Sequence, residues 1–167
     1  MATDTHERIK QIFQVVCVVH DLDKTLETWK NMVEFDESSI KLGMTPADAV
    51  CVYRGKQIQC PVRYARFDFG GIDLKLVEPL NKDGGDPYSD CLKEKGQGFH
   101  HLGLCTEEYD ALLDHYAKLG FQPVYEETAG NKHQLLYDFT SEIGMTVAPW
   151  AKMVGPCGPR NADGTTR

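Results

Sequence analysis

The sequence has no apolar run approaching the roughly 20 residues that cross a bilayer, so no membrane contact is expected. Positive charge is scarce: 18 Lys and Arg stand against 25 Asp and Glu, a formal net charge of −7. Phosphate binding rests on clustered Lys and Arg, so no nucleic-acid partner is expected either. Six cysteines (Cys17, Cys51, Cys60, Cys91, Cys105 and Cys157) include no C-x-x-C pair, the spacing typical of zinc and redox sites. The stretch "MATDTHERIK" is polar and lacks the apolar segment of a secretory signal. A cytoplasmic protein with reduced thiols is the expectation that follows. What is present is 167 residues, 41% of them hydrophobic and 26% charged. That is enough for one globular domain or two small modules sharing a core.

Two stretches share one pattern. "FQVVCVVHDLDKTLETWKNMVEF" starts at Phe13 and "HHLGLCTEEYDALLDHYAKLGF" at His100. Each reads as an apolar strand, an acidic break, an amphipathic helix and a step into another strand. Leu22, Leu26, Trp29 and Val33 recur at helical spacing, as do Tyr109, Leu112, Tyr116 and Leu119. Asp21, Asp23, Glu107 and Glu108 lie near the helix starts, where negative charge favours the dipole. Further strands are expected at Asp36–Ile40, Val50–Tyr53, Val62–Asp68 and Ile72–Val77, then at Gln122–Tyr125, His133–Phe139 and Met145–Ala148. The order is β-α-β-β-β twice, an α+β fold. The expected modules cover 8–80 and 98–150, joined by a linker over 81–97 with a helical turn near Ser89–Lys95. A Pro- and Gly-rich tail over 151–167 is expected to be extended or disordered.

Paired modules of this order, with the strings "IFQVVCVVHDLDKTLETW", "GGIDLKLVEPL", "CLKEKGQGFHHLGL" and "IGMTV", resemble the vicinal oxygen chelate superfamily, also called glyoxalase/bleomycin-resistance/dioxygenase. The resemblance is greatest to its methylmalonyl-CoA epimerase branch and spans roughly Ile12 to Pro149. It implies a curled sheet around a cleft, with helices on the outer face, and a homodimer. It also implies four inward strand residues holding a divalent metal that polarises a substrate carbonyl while a carboxylate moves the proton on the adjacent carbon.

Carried across by motif, the four ligand positions fall at Gln14, Lys75, His101 and Ala148. An ammonium offers no lone pair at neutral pH and a methyl group offers nothing, so this site reads as degenerate and no metal or other cofactor is expected. Lysine suggests a substitute, since its charge can meet the oxyanion of an enolate as a metal would. Lys75, His101 and Gln14 are therefore the expected catalytic set, with Tyr53, near the family's other proton-transfer position, as a further acid or base. Tyr64, Phe67, Tyr137 and Thr146 are candidates to line a substrate cleft, and Arg54 to meet an anionic group. The plainer readings are a salt-bridged Lys75, a buried amide at Gln14 and ordinary strand core at the aromatic positions. His100, sharing a face with Leu102 and Leu104, is expected to pack under the helices.

These features point to an isomerase that inverts a stereocentre beside a carbonyl in a small molecule. The substrate would be an α-chiral ketone, such as the isoflavanone dihydrodaidzein, or an acyl-CoA thioester resembling methylmalonyl-CoA. The alternatives are a non-catalytic ligand-binding or resistance protein of the same fold, or a metal-dependent lyase or dioxygenase.

Overall fold

The computed structural model describes residues 11–151; the expected tail beyond Ala151 and the first residues of the expected N-terminal module lie outside them. The elements are β1 (Gln11–Val18), α1 (Leu22–Met32), β2 (Lys41–Met44), β3 (Val50–Tyr53), β4 (Lys56–Ile58), β5 (Val62–Phe69), β6 (Ile72–Pro79), α2 (Pro87–Lys95), β7 (Gly98–Thr106), α3 (Tyr109–Lys118), β8 (Tyr125–Ala129), β9 (Lys132–Phe139), α4 (Thr140–Ile143) and β10 (Met145–Ala151).

The strands form one curled sheet in the order β2-β5-β6-β1-β7-β10-β9-β8-β3-β4. Its centre is the antiparallel pair β1–β7, flanked by β6 running parallel to β1 and β10 running parallel to β7. Each half thus repeats one topology, β1-β6-β5-β2 and β7-β10-β9-β8. The β3–β4 hairpin breaks the repeat. It is coded in the first half but pairs with β8 of the second, Val50 against Thr128 through Tyr53 against Tyr125. In its own half β2 already occupies the free edge of β5, whereas β8 has an open edge. The hairpin turns at Arg54 and Gly55, both with positive φ (51° and 78°), the geometry that follows the right-handed twist of paired strands.

Two expected strands differ. Asp36–Ile40 is a single 3-10 turn over Glu37–Ser39, because the Asp36 carboxylate accepts from Ser38 N (2.9 Å) and Ser38 Oγ (2.5 Å) and offers the backbone a local alternative to a ladder. The strand expected over Gln122–Tyr125 begins only at Tyr125, since Pro123 has no N–H to donate. The helical turn expected near Ser89 extends to the full α2. Asp86, fully buried, caps it by accepting from Tyr88 N (3.0 Å), Ser89 N (2.9 Å) and Ser89 Oγ (2.6 Å).

α1 and α3 cover the outer face. Leu22, Leu26 and Trp29 pack on Ala65, Phe67, Leu74 and Leu76, while Leu112 and Tyr116 pack on Leu104, Leu135, Tyr137 and Phe139. Leu119, expected in the second helical stripe, is 59% exposed because α3 stops at Lys118. The concave face has its own core, in which Val16 and Val77 meet Tyr125 and Leu136 from the opposite wall and Tyr88 and Leu92 from α2. Burying each such aliphatic side chain contributes roughly 1.5–3 kcal/mol. Cys17, Cys51, Cys60 and Cys91 are free thiols. Cys105 is disulfide-bonded, a departure from six reduced thiols, since disulfide pairing follows proximity in the fold and not spacing along the chain.

Because Asp86 satisfies two amide donors at a buried helix start, Asp86→Ala is expected to cost about 1–3 kcal/mol. Urea denaturation of both proteins measures the difference.

Candidate active site

Register brings the expected site together. On β1, Gln14 lies between Asp73 of β6 and Gly103 of β7, and Val16 between Lys75 and His101. On β10, Thr146 lies beside His101 and Ala148 beside Gly103. Paired residues share a face and alternate residues along a strand return to it, so Gln14, Lys75, His101, Thr146 and Ala148 all belong to the concave side. Gly103 leaves room for the amide: a Cβ there would stand 2.8 Å from Gln14 Cβ.

Gln14 is buried and donates from Nε2 to Asp73 Oδ2 at 2.5 Å. Asp73 also accepts from Arg66 Nε at 3.2 Å. The Lys75 ammonium sits 4.1 Å from the centre of the Tyr64 ring, a cation–π contact. Withdrawal from water lowers its pKa to about 8. Glu127 pulls it back up more than any other charge, Arg66 pushes it down, and Asp73 and Lys132 act more weakly in opposite senses.

His101 is 2% exposed. Burial, then its neighbour His100, then the charge of Lys75 hold it well below the ordinary histidine range, so the ring is neutral at neutral pH. Its Nδ1 lies 2.7 Å from His100 Nδ1. His100 packs against a helix as expected, but the helix is α2 and not the outer-face helix that covers Leu104. The β1–β7 register shifts between Val16 and Cys17, so that Val16 faces His101 but Cys17 faces Phe99. The bulge leaves His100 unpaired and breaks the alternation of faces. Its ring instead stacks on Tyr88 (4.7 Å, 27°), with Nε2 3.0 Å from Pro87 O.

The other expected residues divide. Tyr64 is on the concave face, under Lys75. Phe67 is stacked on Phe35 at 4.4 Å beneath α1, and Tyr137 lies against Tyr116 at 4.9 Å beneath α3. Both belong to the outer core, because their parity along β5 and β9 is opposite to that of Tyr64 and Leu136. Tyr53, Arg54 and Thr146 line a pocket of about 120 Å³ together with Asp90, His100 and Leu136. Tyr53 donates to Asp90 Oδ2 (3.1 Å), and burial pushes its phenol up to about 12. The Arg54 guanidinium lies 4.8 Å from the centre of the Tyr53 ring.

One residue that sequence reasoning missed is Glu127. It pairs with Cys51 and Gln134, shares the face of Tyr125, and accepts from Tyr125 Oη at 2.7 Å. A signal existed, since Tyr125, Glu127 and Ala129 alternate at strand spacing. The wall opposite Lys75, however, is fixed only by the curl of the sheet.

The donor set does not fit the divalent ion that the resemblance implied. Lys75 and Ala148 bring no lone pair, which leaves one amide oxygen at Gln14 and one imidazole at His101, fewer than the three protein ligands a catalytic site usually has. Among the described residues, no group of three or more His, Cys, Asp or Glu side chains is arranged to hold a metal ion.

The family model described as the Glyoxalase/Bleomycin resistance protein/Dioxygenase superfamily matches residues 13–137. The chain belongs to this superfamily. Among curated proteins it is similar to the uncharacterized protein YqjC of Bacillus subtilis (strain 168), 40% identical over 62 residues, 35% of this chain and 43% of that protein. The match thus spans less than half of that relative. Solved structures with the same fold include methylmalonyl-CoA epimerase from Mycobacterium tuberculosis (TM-score 0.61, 16% identity, 90% of this chain and 93% of that one). Another is a methylmalonyl-CoA epimerase in complex with methylmalonyl-CoA and NH4+ (0.57, 17%, 95% and 99%). A third is a Streptomyces coelicolor methylmalonyl-CoA epimerase variant in complex with 2-nitronate-propionyl-CoA (0.56, 18%, 86% and 97%).

The surroundings of Lys75 predict how it titrates. An NMR titration should place it near 8. Glu127→Gln should lower that value further, because the carboxylate favours the charged ammonium.

Proposed function

We propose that this chain is a racemase or epimerase that inverts a stereocentre beside a carbonyl through an enolate, with Lys75 in the place of a metal ion. The observation that carries the reading is the Lys75 ammonium at a ligand position of the superfamily. It is held on the same face as His101, with a pKa of about 8. An ammonium that is still charged at neutral pH, in a site withdrawn from water, stabilises a developing oxyanion more than it would in bulk solvent.

The substrate carbonyl oxygen accepts a hydrogen bond from Lys75 Nζ, with Gln14 as a second polar group at that end. A base takes the α-proton and the electron pair moves onto oxygen. Inversion calls for carriers on two walls. His101 on β7 takes the α-proton at its free lone pair. Glu127 on β8, across the curl of the sheet, delivers a proton to the opposite face from its carboxylic acid form, the two carriers exchanging protons with solvent between turnovers. Tyr53, tied to Asp90, serves as a lining residue of the adjoining pocket, with Thr146 and Arg54.

Two substrate classes suit this site. A methylmalonyl-CoA-like thioester is supported by the neighbours of the same fold that carry CoA ligands, one of them together with an ammonium ion. An isoflavanone such as dihydrodaidzein is supported by the aromatic lining at Tyr64 and Tyr125.

The test is deuterium uptake at the α-carbon of a panel of α-chiral ketones and acyl-CoA thioesters in deuterium oxide, with and without EDTA. Uptake that survives EDTA is the expected result. Tight binding without uptake would mean a sequestering protein, and uptake abolished by EDTA would restore the metal. Lys75→Met should slow exchange by about 100- to 1,000-fold, as loss of one oxyanion donor does. In the wild-type protein the rate should fall as pH rises through about 8, because the ammonium is then lost.

A further inference from the structure

The structure assigns to His100 the role of a positioning residue, one that locks His101 in a single tautomer with a free lone pair on Nε2. Carbonyl oxygen only accepts, so the 3.0 Å contact between His100 Nε2 and Pro87 O requires the His100 proton on Nε2. In a neutral imidazole the other nitrogen then carries a lone pair. His100 Nδ1 is therefore an acceptor, and the 2.7 Å contact between the two rings requires His101 Nδ1 to donate. With its proton on Nδ1, His101 has a bare Nε2. That nitrogen makes no hydrogen bond among the described residues. The chain of constraint runs from a backbone carbonyl through one ring to the reactive atom of the next, the way an outer partner commonly fixes a functional imidazole.

Three features hold His100 in this role. The bulge opposite Val16 and Cys17 turns it away from the face its parity would give it. The Tyr88 ring stacks on it at 4.7 Å. The Asp86 cap fixes the first turn of α2, which carries both Tyr88 and the Pro87 carbonyl. Neither histidine needs a charge for this arrangement, and burial keeps both pKa values below the ordinary range.

The catalytic consequence rests on the proposed function, but the tautomer does not. The test is nitrogen-15 NMR of the wild-type protein at neutral pH. Resonances of His101 with Nδ1 protonated and Nε2 bare are expected; an Nε2-protonated ring, or a mixture of tautomers, would overturn the assignment. His100→Leu removes the acceptor and should release His101 to a mixture. His100→Asn, whose amide can accept from His101 and donate to Pro87 O, should restore the single form. A His101 spectrum unchanged in His100→Leu would overturn the lock. With an active substrate in hand, kcat should fall about 10- to 100-fold in His100→Leu, with KM little changed and recovery in His100→Asn. Should no substrate be turned over, the proposed function fails while the spectra still decide the tautomer.

Discussion

The antiparallel pairing of β1 with β7 is the contact on which the rest of the molecule depends. It joins two halves that otherwise each end in a single free strand. It also sets the register that puts Gln14 beside Gly103 and Val16 beside His101. The parallel neighbours β6 and β10 extend that register outward, adding Asp73, Lys75, Thr146 and Ala148 to the same face. A slip of one residue between β1 and β7 would turn the side chains of one half to the face opposite those of the other. Core and site are therefore specified by one ladder.

Around that ladder the charges are arranged in opposition. Lys75 is withdrawn from water, which works against its ammonium, yet Glu127 and Asp73 lie close enough to restore part of the loss. His101 feels burial and Lys75 in the same direction and stays neutral. A cation and a neutral imidazole share one wall, and a carboxylate stands on the other. The surrounding core of Val16, Val77, Tyr125 and Leu136 excludes the water that would weaken each of these interactions.

Much of the fold was legible in the chain. Strand alternation, acidic residues such as Asp21 and Asp23 at the helix starts, and the doubled β-α-β-β-β order are local signals, and the sheet follows them apart from the crossing β3–β4 hairpin. Where local reading failed, the causes were nameable: the Asp36 carboxylate bonding its own turn, Pro123 withholding a donor, and α3 ending before Leu119. Tyr64 fell on the cleft side and Phe67 on the outer side. Strand parity separates the two, but only once one residue of β5 is known to face inward.

The sequence by itself determined the chemistry available at each position: an ammonium at Lys75, an imidazole at His101, and a methyl group at Ala148 where a ligand would be needed. These follow from residue identity and require no neighbours. Only the tertiary structure decided which groups meet. A bulge placed His100 against Pro87 and His101, the β3–β4 hairpin crossed to the edge of β8, and the curl of the sheet put Glu127 where its charge acts on Lys75. Each of these depends on pairing between segments far apart in the chain, where the energy lies in register and closure and leaves no periodic trace in the local sequence.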